Sequence, residues 1–142
     1  MTNISQIIED VEKQVTQTHT RQLDLSFNEI ADMYKSGELN ISPSFQRLFR
    51  WSEDKQSRFI ESLILEMPVP PIFVIEIDNG NYELIDGLQR TMTIISFFRG
   101  DLKLEGLKIL KELNGYSKTD LPKDIMLRIS IGRLRIELIE ET

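Results

Sequence analysis

Residues 82–98 read YELIDGLQRTMTIISFF, and their hydrophobic pattern changes at Gly87. Before the glycine, Tyr82–Ile85 is a short β-prone run. After it, a strand would mix Arg90 into an apolar face, whereas a helix collects the apolar side chains on one stripe and leaves Arg90 outside. That stripe consists of Leu88, Met92, Ile95 and Phe98. An Asp-Gly pair is also typical of a type I′ hairpin, but the spacing favours a strand that turns directly into a helix.

Such a turn favours the binding of an anion. The first amides of the helix lack partners within it and point outward. Gly87 lets another group approach closely, and Arg90 adds a permanent cation with several donors. Asp86 would repel a bare phosphate, so it would hold a divalent cation such as Mg²⁺, orient a water or support Arg90. The structural alternative is that Asp86 caps the helix.

A second basic cluster lies upstream in residues 44–51, SFQRLFRW. Arg47 and Arg50 are suited to pairing with phosphate oxygens, and Gln46 to hydrogen bonding with a base, sugar or phosphate. Alternatively this is a solvated loop whose Phe49 and Trp51 pack into the core. The repeated Gln-Arg pair favours the binding role, although the sequence alone does not place residues 46–47 next to residues 89–90.

The remaining pattern predicts an α+β fold. Ser26 and Glu29 have capping-box spacing, and Gly37 is a stop signal. A helix capped by Ser52 ends at the prolines of residues 68–71. Its predicted buried stripe consists of Phe59, Ile60, Leu63, Ile64 and Met67. The predicted elements are helices at 27–36, from 53 and at about 122–131, a hairpin of strands 72–77 and 82–85, and a strand around 134–138; residues 102–121 are predicted as irregular or short helical structure.

The amino-terminal region is predicted to be an amphipathic helix followed by a polar linker. Isoleucine and valine recur at helical spacing over residues 4–15, and Thr16–Gln22 is polar. We therefore predict two parts: residues 1–22 as helix and linker, and residues 23–142 as the domain. Docking of this helix on the core is favoured over contact with a partner chain.

Length and composition limit the class of protein. The 142 residues are enough for one core, and the absence of cysteine excludes disulfides, thiolate metal sites and a cysteine nucleophile. The 17 basic and 23 acidic residues give a net charge of −6, which disfavours indiscriminate attraction to DNA or anionic lipid. With no long apolar run or signal peptide, a cytoplasmic protein without membrane contact is expected.

The ordered motifs resemble a known family. An early FQR-x-x-x-W, a helix, the proline-rich strand entry Met67–Ile72 and a strand entering Asp86-Gly87-Leu88-Gln89-Arg90 are similar to the amino-terminal domain of GmrSD-type restriction enzymes, over roughly residues 25–138. Leu88 stands where the family's D-G-Q-Q-R motif has its first glutamine, a departure that concerns hydrolysis more than binding. The resemblance implies a ParB/sulfiredoxin-like fold, a small mixed sheet packed with helices, in which Gly87-Leu88-Gln89-Arg90 forms the nucleotide-binding turn.

The resemblance also implies site residues and partners. Asp86, Gln89 and Arg90 would carry hydrolysis of a nucleoside triphosphate, with Asp86 as the ligand of a Mg²⁺ ion; the nucleotide-binding residues would be Gln46, Arg47, Arg50, Gly87 and Thr91. The expected role is an NTP-binding and hydrolysing module of a DNA-restriction or phage-defence protein. It would be coupled to a nuclease domain or subunit outside this chain, with DNA contacted through the full-length protein. Nuclease activity is not expected here, because the lone His19 lies in the polar stretch and no His-Asn-His pattern occurs.

The sequence leaves open the function, the oligomeric state and whether the chain is a fragment. The chain could instead be a ParB-like DNA-binding module, which the acidic balance disfavours, or an inactive scaffold that associates through residues 4–15. Homo-oligomers are compatible with the sequence. The chain ends directly after the last predicted strand, as a fragment of a longer protein would.

Overall fold

A five-stranded mixed sheet forms the centre of the molecule. The computed structural model describes residues 3–78 and 80–141. The sheet has the order β1-β5-β3-β4-β2. β5 pairs antiparallel with β1 and parallel with β3, β3 and β4 form an antiparallel hairpin, and β2 joins β4 in parallel. The strands are β1 (Thr18–Ser26), β2 (Leu39–Asn40), β3 (Ile72–Asp78), β4 (Asn81–Asp86) and β5 (Arg133–Glu141).

Helices occupy the segments between the strands. They are α1 (Ile4–Gln17), α2 (Phe27–Ser36), α3 (Pro43–Gln46), α4 (Glu53–Ile64), α5 (Leu88–Phe98) and α6 (Lys123–Ile131), with 3₁₀ turns at Lys111–Leu113 and Lys118–Asp120. The α+β expectation is confirmed, as is the irregular character of residues 102–121. In the part of the chain that the structure describes, none of the helices combines the length and apolarity needed to cross a bilayer.

The core lies on one face of the sheet. Alternate residues of the central strands are buried against the helices, and the buried set is Ile72, Val74, Leu84, Leu134, Ile136 and Leu138. Residues of opposite parity point to the other face, which we call the outer face. There Phe73 and Ile75 are half-buried and Ile77 is 51% exposed. The period of two along each strand therefore separates a packed face from a largely uncovered one.

Local sequence signals set the helix ends. Ser26 caps α2 in a reciprocal capping box with Glu29, and Gly37 ends the helix at φ +89°. Ser52 caps α4 as expected. The predicted stripe of α4 is wrong at Met67, however, which is 51% exposed. The helix ends at Ile64, and Glu66 adopts φ +58°, so the chain turns away before it reaches the prolines.

The predicted polar linker Thr16–Gln22 is wrong, because its first two residues belong to α1 and the others lie in β1, which occupies Thr18–Ser26. Each of its nine residues is paired with β5, from Thr18 opposite Glu141 to Ser26 opposite Arg133. Leu23 and Leu25 pack against the core. The edge position explains the polar composition, since one face of the strand is open to water.

Helix α1 forms as expected, but the preferred docking on the core is wrong. Every residue from Asn3 to Gln14 is exposed. The apolar stripe itself is open to solvent, with exposures of 75%, 48%, 53% and 56% at Ile4, Ile7, Ile8 and Val11. The apolar stripe from Ile4 to Val11 is therefore not covered by any other described residue of the chain.

Candidate functional site

The turn from β4 into α5 has the geometry that the sequence predicts. Gly87 is the residue between the two elements and has φ +97°, ψ 25°. A side chain here would be strained, and a Cβ would lie 2.6 Å from Ile72 Cγ2. Gly87 is thus required both by its backbone conformation and by its contact with β3. The hairpin alternative is excluded by the helix that follows.

The amino terminus of α5 is left without a side-chain cap. Gly87 occupies the N-cap position, and no side chain accepts a hydrogen bond from the first turn. Asp86 Oδ1 accepts a hydrogen bond of 2.9 Å from the Gly87 amide, one residue before the helix. Asp86 is exposed and is not the N-cap. The first-turn amides therefore have no side-chain acceptor among the described residues, and the positive end of the helix dipole lies at this turn.

Arg90 holds the turn against the entry to β3. Its Nη2 donates a hydrogen bond of 2.8 Å to the carbonyl oxygen of Pro71. Its Nε is buried and has no partner among the described residues. A buried donor without an acceptor is uncommon and energetically costly. The Nε–H group of Arg90 therefore lacks a hydrogen-bond acceptor among the described residues. The guanidinium as a whole is half-buried.

Gln89 connects the two predicted clusters. Its Oε1 accepts hydrogen bonds from the backbone amides of Arg50 (2.9 Å) and Trp51 (3.1 Å), and its Nε2 donates to the carbonyl oxygen of Leu48 (3.0 Å). We call this set of three hydrogen bonds the Gln89 bridge. It places the loop that follows Arg47 beside the first turn of α5, which the sequence alone could not establish. The contacts of Gln89 are with this loop, and its predicted role of orienting a water stays a prediction.

The upstream cluster combines packed aromatic side chains with exposed cations. Phe49 packs against the core, and Trp51 is half-buried in an edge-on contact with Phe59 at 5.6 Å between ring centroids. Arg47 and Arg50 are exposed. The packing expected in the solvated-loop alternative is therefore present, and the packed aromatics leave the arginines at the surface.

Gln46 lies at the end of α3, a short helix that the sequence reading missed. Ser42 caps α3 and Pro43 is its first residue, a combination that is a recognised start signal for a helix. Gln46 Nε2 donates to the Ile41 carbonyl (2.7 Å) and to the Tyr34 hydroxyl (3.3 Å). Both amide hydrogens are thus used within the protein. No sequence signal linked Tyr34 to this loop, because the two are joined only by tertiary folding.

Thr91 lies inside the turn. It is fully buried, and its hydroxyl donates to the Gly87 carbonyl oxygen at 2.9 Å. The threonine therefore stabilises the turn from within, and its predicted role in nucleotide binding stays a prediction.

The site carries uncompensated positive charge in an acidic chain. Among residues 3–78 and 80–141, no carboxylate forms an ion pair with Arg47, Arg50 or Arg90. Arg50 Nη1 donates instead to the carbonyl oxygen of Arg47 at 3.0 Å. With a net charge of −6 for the whole chain, three arginines without acidic partners mark a local anion-attracting surface.

Two observations limit what the site holds by itself. The described residues contain no group of three or more His, Cys, Asp or Glu side chains placed to bind a metal ion. Cavities of about 510, 440 and 410 Å³ are lined by other residues. A metal ion held by Asp86 would therefore need its further ligands from a bound molecule.

A family model described as the N-terminal domain of GmrSD restriction endonuclease matches residues 27–137, which is more than half of the chain. No curated protein and no solved structure matches the sequence.

Proposed function

The chain belongs to the family of N-terminal domains of GmrSD restriction endonucleases, and from this premise we propose that it binds a nucleoside triphosphate at the β4–α5 turn and hydrolyses it. The family makes it a domain of a DNA-restriction or phage-defence protein. The triphosphate would lie between the start of α5 and the loop of Arg47 and Arg50. The ParB/sulfiredoxin-like class that the sequence suggests for this turn is part of the same proposal.

The Gln89 bridge is the observation that carries the proposal. Two segments 39 residues apart are joined by hydrogen bonds of 2.9 and 3.1 Å from Arg50 and Trp51 to one glutamine oxygen. Each segment brings arginine side chains, and the one with Gln89 also brings an uncapped helix start. Convergence of several donors and cations on one surface is the arrangement that phosphate binding requires.

The available interactions are sufficient for measurable affinity. A charge-assisted hydrogen bond contributes about 1.5–3 kcal/mol, and the helix dipole about 0.3–1 kcal/mol at an exposed site. Three or four such contacts and the dipole together contribute about 5–13 kcal/mol before the cost of association is subtracted, a range that includes the about 8 kcal/mol of a micromolar dissociation constant. The unpaired buried Nε of Arg90 adds a donor that already lacks an acceptor.

Asp86 is proposed to serve hydrolysis. Its Oδ1 is occupied by the Gly87 amide, and Oδ2 accepts no hydrogen bond from any described residue. Mg²⁺ is commonly held by one or two protein carboxylates together with substrate phosphates, so a lone exposed aspartate fits when a triphosphate is present. The ion would neutralise phosphate charge. Asp86 would orient the attacking water, and Gln89 would act by positioning the arginine loop.

Calorimetric titration with GTP, CTP, UTP and ATP in the presence of Mg²⁺ tests binding. The most informative variant is Arg47→Ala, because this exposed side chain has no ion-pair partner in the described structure and its loss should leave the fold intact. We expect a loss of affinity of about 10- to 100-fold, the equivalent of one charge-assisted contact. Arg58→Ala, which removes an exposed arginine from α4, is the matched control and should bind normally. Absence of heat with every nucleotide would refute the proposal.

Hydrolysis is separated from binding by Asp86→Asn. The asparagine keeps an oxygen that can accept from the Gly87 amide but removes the carboxylate charge. Phosphate release should fall to background while the calorimetric affinity stays within a few-fold. Equal turnover by wild type and variant would exclude Asp86 from the reaction. Affinity for DNA that falls steeply with rising salt, without any nucleotide heat, would instead identify a DNA-binding module.

A further inference from the structure

Two apolar surfaces of this chain remain without a partner in the described structure. One is the stripe of α1, where Ile4, Ile8 and Val11 are each more than half exposed. The other is the outer face, where Ile77 and Ile85 are 51% and 42% exposed. Phe73 and Ile75 lie on the same side of β3, and Ile139 is paired with Ile75 on β5. The outer face thus carries a partly exposed apolar strip along β3 that ends in the exposed Ile77, and partly exposed apolar strips of this kind can serve as interaction sites.

The chain connectivity prevents α1 from covering its own outer face. α1 ends at Gln17 and β1 begins at Thr18, so no loop residue separates helix from strand. Thr18 is already paired with Glu141. A helix that folds back onto a sheet needs a connection of about 2–6 residues. A hinge too short to close within one chain favours exchange of the element between copies.

An isolated helix of this length is marginal in water. Helices shorter than about 12–15 residues gain too few hydrogen bonds to offset nucleation, and α1 has 14 residues, all exposed over the described range 3–14. A packed apolar face is what stabilises such a helix in proteins. We propose that α1 of one copy packs on the outer face of a second copy, and that the second copy returns its own α1 in the same way.

The surface area that one α1 helix can bury requires both copies to exchange their helices. A helix of 14 residues is about 21 Å long and about 10 Å wide, so one helix-on-sheet contact hides about 200 Å² on each surface. A single contact would have the size of a lattice contact. Two symmetric contacts bury about 800 Å² in total, which is below the roughly 1,200 Å² of stable specific interfaces and in the range of weak, transient association. The dimer is therefore expected to be two-fold symmetric and to dissociate on dilution.

Charges accompany the apolar contact on both sides. The outer face carries Arg135 and Glu137, which form an ion pair of 3.1 Å, and Glu83 on β4. The opposite side of α1 carries Glu9 and Lys13, which would stay in water. In the proposed contact the apolar side of α1 therefore packs on apolar residues of the outer face that have charged neighbours. These charges would fix the position of the helix more than they would add to its affinity.

Sedimentation equilibrium of the 142-residue chain over a wide concentration range tests the proposal. Wild type should rise towards twice the monomer mass. The arm variant Ile8→Gln/Val11→Gln should stay monomeric. The matched control Glu9→Gln/Lys13→Gln places two glutamines on the opposite side of the same helix, leaves net charge unchanged, and should dimerise as wild type does. Thermal unfolding confirms that each variant is folded.

A variant of the outer face distinguishes the modes of association. Ile77→Gln/Ile85→Gln should also be monomeric, and its mixture with the arm variant should stay monomeric too, because a mixed pair retains only one of the two reciprocal contacts. If the face variant dimerises normally while the arm variant does not, the helices pair with each other and the outer face is not the docking site. A wild-type chain that stays monomeric at all concentrations would overturn the proposal altogether.

Discussion

Replacement of Gln89 by alanine should loosen the arginine loop without unfolding the domain. The substitution removes three hydrogen bonds to the loop backbone, from the amides of Arg50 and Trp51 and to the carbonyl of Leu48. Each is a neutral bond with a net contribution of about 0.5–1.5 kcal/mol. Since Leu48 and Arg50 are exposed, water can replace part of the loss. We therefore expect a cost near the low end of the sum, about 2 kcal/mol.

Hydrogen exchange and fluorescence read this loss directly. The amides of Arg50 and Trp51 should exchange about 30-fold faster, which corresponds to about 2 kcal/mol of lost protection. The chain has one tryptophan, so a red shift of its emission reports on Trp51 alone. Gln89→Glu is the matched comparison, because a carboxylate still accepts from both amides but cannot donate to Leu48, and it should show a smaller change. Unchanged exchange at both amides in Gln89→Ala would refute the role assigned to the bridge.

Three other substitutions test the β4–α5 turn and the contacts between α4 and residues 102–121. Gly87→Ala should cost about 2–4 kcal/mol by chemical denaturation, from a strained φ and a 2.6 Å Cβ contact, whereas Gly80→Ala, with φ +86° and open space, should cost only about 1 kcal/mol. Glu61→Ala should cost about 3 kcal/mol in the same assay, because this 5% exposed carboxylate accepts two loop amides at 2.8 and 3.1 Å. A hydrogen bond with Asp54 raises the pKa of Glu105, so the folded state binds the carboxyl proton more tightly than the unfolded state does. The free energy of unfolding therefore falls as pH rises through the raised pKa. Glu105→Gln should be more stable than wild type at pH 7 in the same assay, and this difference should vanish in acid.

Elements defined by local chemistry could be predicted from the sequence. Helix α2 begins and ends where the capping box of Ser26 and the stop at Gly37 place its limits. The start of α5 followed from the change of hydrophobic period at Gly87. In both cases the determining residues belong to the helix itself or flank its ends, so no knowledge of distant contacts was needed.

Elements defined by distant contacts could not be predicted. β1 is polar at most positions, and what makes it a strand is nine-residue pairing with β5 more than 100 residues later. The exposure of α1 depends on the direct junction between Gln17 and Thr18, which forbids a return onto the sheet. A periodic pattern reports which side of an element is apolar, but it does not report what covers that side.

The two Gln-Arg pairs show why residue type alone did not settle the site. Gln46 and Gln89 both use their amides on backbone groups of the loop region, whereas Arg47 remains exposed without an acidic partner. A glutamine amide offers both a donor and an acceptor, so it can satisfy peptide groups of either kind; a guanidinium offers donors only and needs an acceptor from elsewhere. Arg90 is intermediate, with Nη2 bound to a carbonyl and Nε left without an acceptor. Under the proposed function, the glutamines position the loop and the arginines would bind the anion, so glutamine variants should alter the order of the loop first and the affinity second.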